Sequence, residues 1–246
     1  MRSLIFAGNW KMHLGPAGAR KFIKTFLQRY EKKADAEVWF FPPSASLEAV
    51  GSQITDRPEL KVGAQDVHWE VKGAFTGQTS IAMVTEAGGS AALVGHSERR
   101  HVFGETDAET GKKTRALLEA DLTPVFCVGE KLEERDAGET LSVVHRQLAV
   151  LEGMDSRALS RIVVAYEPVW AIGTGKVATL SDAVEVHEGI KAWFSERGAR
   201  DPRVLYGGSV KSSNVGELIA DQSIDGVLVG GASLDPVAWA ELVAVR

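Results

Sequence analysis

The strongest constraint in this sequence is a short apolar run that returns eight times, each time followed by a polar–apolar stretch. The runs are Leu4 to Ala7, Val38 to Phe41, Leu60 to Ala64, Ala91 to Gly95, Pro124 to Val128, Ile162 to Tyr166, Arg203 to Tyr206 and Gly226 to Val229. They are continuous rather than alternating, which is the pattern of strands buried on both faces of a parallel sheet. Between them lie helical candidates: Ala17 to Lys33, Ala108 to Ala120, Glu139 to Glu152 and Ser181 to Arg197. In the first, Phe22, Phe26 and Tyr30 recur every fourth residue and form one apolar stripe. Strand-then-helix units of roughly 30 residues, repeated eight times, predict an α/β chain folded as a single (β/α)8 barrel. An open, doubly wound sheet shares the alternating order and is the competing architecture. Neither a low-complexity segment nor a linker marks a boundary, so residues 1–246 are expected to form one domain.

Composition narrows the function. A chain with 44% hydrophobic and 25% charged residues can bury a sizeable core. Its net charge of −5 gives no reason to expect nucleic acid or an anionic membrane surface as partner. An anionic substrate must therefore be attracted by a local arrangement. The one cysteine, Cys127, excludes an internal disulfide and fits a reducing compartment. The apolar start of the chain is interrupted by Gly8, Asn9 and Lys11, too early for a signal-peptide core or a membrane span. A cytoplasmic location is expected.

Nearly every run ends in an unusual polar cluster. These are Gly8-Asn9-Trp10-Lys11, Gly95-His96-Ser97-Glu98, Cys127-Val128-Gly129-Glu130, Tyr166-Glu167-Pro168, Tyr206-Gly207-Gly208-Ser209 and Gly230-Gly231. The starts of the runs carry no such groups. In a barrel the C-terminal strand ends converge on one mouth, where active sites are built. The paired glycines after strands seven and eight let the backbone approach an oxyanion, at a position where barrels recurrently bind phosphate. Turn glycines alone would look the same. Gly173-Thr174-Gly175-Lys176 is not a P-loop: Trp170 stands where the first glycine is required, and Val177 follows the lysine.

Glu167 directly follows a strand and precedes Pro168, and Val169 to Ala178 reads as a loop with an apolar tip. Such a lid would exclude water and raise the basicity of Glu167. A structural acid is the plainer alternative. His96 opens a short helical turn whose N-terminus disfavours a charged imidazole. His96 and His101 are five apart and lack a further ligand, so no metal site is expected. Lys11, which would face the mouth, is either an exposed cation or a Schiff-base amine. Cys127 fits a packed core thiol, and Lys131 to Asp136 a solvated face or helix entry.

Taken together, seven segments resemble the triosephosphate isomerase family over essentially the whole chain. They are Gly8 to Met12, Gly63 to Asp66, Gly73 to Gly77, Gly95 to Arg100, Ala165 to Gly175, Tyr206 to Val210 and Val229 to Leu234. Each is modest alone; seven in order are specific. The resemblance implies a TIM barrel that interconverts dihydroxyacetone phosphate and D-glyceraldehyde 3-phosphate in glycolysis and gluconeogenesis, without a cofactor, as a homodimer. It implies Glu167 as the base, neutral His96 as the electrophile and proton shuttle, and Lys11 and Asn9 at the developing oxyanion. Glu98 matches a family glutamate beside Lys11, as positioner or proton relay. Ile172, Gly173, Ser209, Gly230 and Gly231 would contact the substrate, Tyr206 would latch the lid, and Cys127 and Glu130 would be structural.

The sequence departs from the family at two places. Gln78 stands where the family has an acid that pairs with an arginine matching Arg99. This is in the loop Phe75 to Thr79, which enters the partner subunit in family dimers. The second hinge of the lid reads Lys176-Val177-Ala178. Two rival functions are a Schiff-base barrel aldolase using Lys11 and a barrel scaffold without catalysis.

Overall fold

The computed structural model describes residues 3–171 and 178–245. Eight strands, β1 (Leu4–Asn9), β2 (Ala36–Phe41), β3 (Leu60–Ala64), β4 (Ala91–Val94), β5 (Thr123–Val128), β6 (Val163–Tyr166), β7 (Arg203–Tyr206) and β8 (Gly226–Val229), lie in sequence order around a closed barrel. All neighbours are parallel, and the ring closes through β1 and β8, with Ile5 opposite Gly226 and Gly8 opposite Val229. That pairing excludes the open doubly wound sheet.

Closure explains the continuous apolar runs. Alternate residues point to opposite faces of a strand. In β5, Val125 and Cys127 join the cluster that fills the barrel interior, while Phe126 and Val128 join the larger cluster under the helices. Both faces are dry, so no position is left for a polar side chain until the strand ends. At the lower rim Trp39 is fully buried and donates its indole N–H to Glu37 at 3.1 Å. Lys61 and Arg203 pair with the same carboxylate at 2.6 and 3.2 Å. This face is plugged, and the open mouth is at the other end.

The helices are α1 (Pro16–Leu27), α2 (Leu47–Gly51), α3 (Ile81–Glu86), α4 (Ser97–Val102), α5 (Asp107–Glu119), α6 (Leu132–Asp136), α7 (Thr140–Leu148), α8 (Ser156–Leu159), α9 (Leu180–Glu196), α10 (Val215–Ala220) and α11 (Pro236–Ala244). Helices α5 and α9 begin in capping boxes, Thr106 with Glu109 and Thr179 with Asp182, and lie within a residue of their expected spans. Helix α1 stops short of the expected Lys33. Tyr30 follows it but still stacks on Phe26 at 4.9 Å. The charged run Glu31-Lys32-Lys33 then offers no apolar face to bury. The stretch expected to be helical to Glu152 is α7 plus a tight turn at Ala149–Leu151. No helix among the described residues is long and apolar enough to cross a membrane.

Candidate active site

The site grows out of the C-terminal strand ends. Asn9, the last residue of β1, is buried, and its side-chain oxygen accepts the Lys11 backbone N–H at 2.9 Å. Lys11 itself has φ 49°, a left-handed conformation uncommon for a residue with a side chain. Gln65, just past β3, holds this turn: its amide donates to the carbonyls of Lys11 and Phe41, each at 2.8 Å. The turn aims Lys11 across the mouth, where its ammonium meets Glu98 Oε1 at 2.7 Å.

His96 and Ser97 follow β4. His96 Nδ1 lies 3.2 Å from the Glu98 backbone N–H, and Nε2 lies 2.9 Å from Glu167 Oε1. Ser97 donates to both Glu167 oxygens, through its backbone N–H at 2.9 Å and its hydroxyl at 3.1 Å. Glu167 is 2% exposed and therefore almost dry. Burial pushes its pKa up, but the His96 ring and the Ser97 donors outweigh burial and hold it below the usual carboxylate value. His96 shows the converse. Burial lowers its pKa, and the Glu167 carboxylate overrides this and raises it above the ordinary histidine value. With Glu167 in this position, its carboxylate opposes the effect expected of the turn N-terminus, which disfavours a charged imidazole.

Two glycines make the position of Glu167 possible. A Cβ on Gly129 would fall 1.7 Å from the Glu167 carbonyl oxygen, and one on Gly207 would fall 2.9 Å from Glu167 Cγ. The backbone after β5 therefore closes on the Glu167 main chain, and the backbone after β7 on the base of its side chain. Gly230, after β8, comes so near Lys11 that a Cβ there would lie 3.2 Å from Lys11 Cε. Asn9, Lys11, His96, Glu167, Ser209 and Gly230 share the walls of one cavity of about 360 Å³, and Gly231 lies on the same rim. Glu98 lines an adjoining cavity instead.

A family model described as triosephosphate isomerase matches residues 4–246. The chain belongs to the triosephosphate isomerase family. A protein of that name from Moorella thermoacetica is 48% identical over 99% of this chain and 98% of its own length. One from Solibacter usitatus is 44% identical, and one from Aquifex aeolicus 45% identical, each over 99% of both chains. The chain is thus an isomerase, an intramolecular oxidoreductase of the triosephosphate isomerase family.

Other residues of this triosephosphate isomerase homologue surround the site. Glu130 is fully buried and accepts hydrogen bonds from the Tyr166 hydroxyl at 3.1 Å and the Trp170 indole at 2.8 Å. Arg135 lies over the Trp170 ring at 4.6 Å and pairs with Asp182 at 2.7 Å. It therefore joins the segments on either side of residues 172–177, from a helix (α6) that buries none of its residues and begins after Lys131, in line with the solvated face or helix entry expected for Lys131 to Asp136. Burial pushes the Tyr206 hydroxyl up to about 12. Cys127 is buried inside the barrel, and burial raises its thiol pKa well above the ordinary value, as suits a packed core thiol. Ile172, Gly173 and the hinge Lys176-Val177 lie outside the described residues. No group of three or more His, Cys, Asp or Glu is placed to hold a metal among the described residues. Gln65 and Arg135 had no role assigned from sequence. Gln65 lies within a family-like segment, whereas Arg135 carried no signal that separates it from a surface arginine.

Proposed function

We propose that this barrel interconverts dihydroxyacetone phosphate and D-glyceraldehyde 3-phosphate as one cofactor-free catalytic domain, with Glu167 as the base. The observation that carries this reading is the contact of Glu167 Oε1 with His96 Nε2 at 2.9 Å, on a cavity whose walls also hold Lys11 and the paired glycines. Glu167 removes a carbon-bound proton and returns it to the neighbouring carbon. The His96 Nε2–H donates to the carbonyl oxygen and moves the proton between the two substrate oxygens. Lys11, with Asn9 beside it, supplies fixed positive charge where the enediolate forms, which is where most of the barrier to ionising a weak carbon acid must be removed. Ser209, Gly230 and Gly231, with Gly173 and Ile172, hold the phosphate end and shield it.

A neutral His96 in the substrate complex is part of this reading. When the Glu167 carboxylate turns from His96 and Ser97 to the substrate, the main influence that raises the His96 pKa goes with it. Burial and the Lys11 ammonium then lower it, against the Glu98 carboxylate, which still raises it. A neutral imidazole donates to an oxyanion without first surrendering its charge. Glu98 is read as positioning Lys11, since the two form an ion pair. That pair also disfavours the aldolase alternative, because a Schiff base needs a free amine lone pair.

A homodimer is part of this reading. Phe75 is 42% exposed at the tip of its loop although it stacks on His68 at 4.1 Å, and Met12, Val102 and Phe103 are also exposed. Met12 and Phe103 line one cavity, Phe103 and Phe75 the next, and exposed apolar side chains of this size suit a protein interface; the loop Phe75 to Thr79 is taken to enter a second copy. A cytoplasmic location is supported by the unpaired Cys127.

The test is a coupled assay from dihydroxyacetone phosphate, run beside Glu167→Gln. The variant is expected to lose roughly 10²- to 10⁴-fold or more in kcat while still binding a phosphorylated inhibitor. A folded but silent wild type would return the case to the scaffold alternative. Comparable loss of inhibitor binding in the variant would refute the division of roles.

A further inference from the structure

Arg100, on α4, holds the peptide groups on both sides of His96. Its side-chain Nε donates to the Gly95 carbonyl at 2.7 Å, and its backbone N–H donates to the His96 carbonyl at 3.0 Å. A peptide unit is planar, so holding these two carbonyls fixes the planes before and after the His96 Cα and limits the swing of its ring. Gly95 makes the close approach possible. It has φ 70°, and a Cβ there would fall 2.7 Å from Arg100 Nη2.

The same guanidinium reaches the end of β5. Arg100 Nη2 donates to the Cys127 carbonyl at 3.2 Å, and in the next peptide unit the Val128 carbonyl accepts the Glu167 backbone N–H at 2.7 Å. The strand ends that carry His96 and Glu167 are thus both referred to one planar fork. Asp107, the first residue of α5, anchors that fork from behind, with its Oδ1 2.5 Å from Arg100 Nη1. The Arg100 side chain is 7% exposed, so little water competes for its donors. Its two duties are separable in space: Nε and Nη2 serve the carbonyls, and Nη1 serves the ion pair.

We infer that Arg100 is a positioning residue for the isomerisation: its fork sets the placement of His96 against Glu167, while its ion pair with Asp107 serves stability. Arg100→Lys and Asp107→Asn separate the two duties. A lysine keeps the charge facing Asp107 and the backbone N–H, but loses the fork. Asparagine at position 107 removes the ion pair and leaves the fork on its carbonyls. Arg100→Lys is expected to lower kcat by roughly 10- to 100-fold, with KM and the affinity for inorganic phosphate within about twofold of wild type. The acid limb of its kcat/KM profile is expected at higher pH, because His96 and Ser97, which hold Glu167 ionised, move away from it. Asp107→Asn is expected to lower Tm while keeping kcat within about twofold. Wild-type kcat in Arg100→Lys overturns the proposal, as does a loss of kcat in Asp107→Asn equal to that in Arg100→Lys. An Arg100→Lys chain that does not fold also overturns it, since the arginine is then structural. The inference rests on Glu167 as the base. Full activity in Glu167→Gln overturns that reading, whereas full activity in Arg100→Lys beside a silent Glu167→Gln overturns this one alone.

Discussion

Ser97 shows how one residue sets the resting state of the site. Its N–H and hydroxyl both hold the ionised form of Glu167, and together with His96 they lower its pKa against the effect of burial. Ser97→Ala removes the hydroxyl donor and leaves the backbone one. The carboxylate pKa then rises, and since the base must be ionised, the acid limb of the kcat/KM profile moves to higher pH. The profile of kcat, which reports the substrate complex, is expected to move less, because Glu167 has by then turned away. Equal shifts in both would show that Ser97 stays bonded to Glu167 throughout. The polar residues at the mouth were legible because each interrupts an apolar strand end: Asn9, His96 and Glu167 stand out against dry neighbours. Gln65 was not legible as a support, because its work is to hold the carbonyls of two other segments, which are remote in sequence.

At the scale of elements, the crossing between the ends of β5 and β6 leaves no room for a side chain at Gly129. Its backbone is also held on both sides by Gln147 of α7, which donates to the Gly129 carbonyl at 3.1 Å and accepts its N–H at 2.8 Å. Gly129→Ala must therefore push the Glu167 backbone away or tear Gly129 from α7. A loss of about 3 kcal/mol or more is expected, read as a lower denaturant midpoint. A loss below about 1 kcal/mol would mean that the strand ends yield easily. The strands were legible for the reason that makes them rigid, since two dry faces leave a continuous apolar signature. The short helices α2, α3, α8 and α10 were not, because a helix of one or two turns is too brief to show a period. Helix α11 is apolar on nearly every side, which hides the stripe.

For the whole molecule, acid stability turns on His187. It is buried on α9 between Tyr166 and Tyr206, and its Nδ1 lies 3.2 Å from the Ser223 carbonyl. Burial lowers its pKa to about 3, against 6.5 for an ordinary histidine. Between those values the unfolded chain takes up a proton that the native state refuses, so this group makes stability fall as pH falls, by up to about 1.4 kcal/mol per pH unit. His96, with its raised pKa, acts in the opposite sense, and Glu167 contributes a loss only below the ordinary carboxylate range. His187→Gln should flatten the decline in unfolding free energy between pH 7 and pH 5. An unchanged slope would assign the decline to other groups. The ring of strands has one more consequence, in time rather than in energy. Ile5 to Gly8 pair on one side with β2 and on the other with β8, whose residues are made more than two hundred positions later. During synthesis β1 must therefore wait with a bare row of amides and carbonyls, the kind of edge on which strands of different chains join. Nascent chains are thus most prone to stick together just before the last strand emerges.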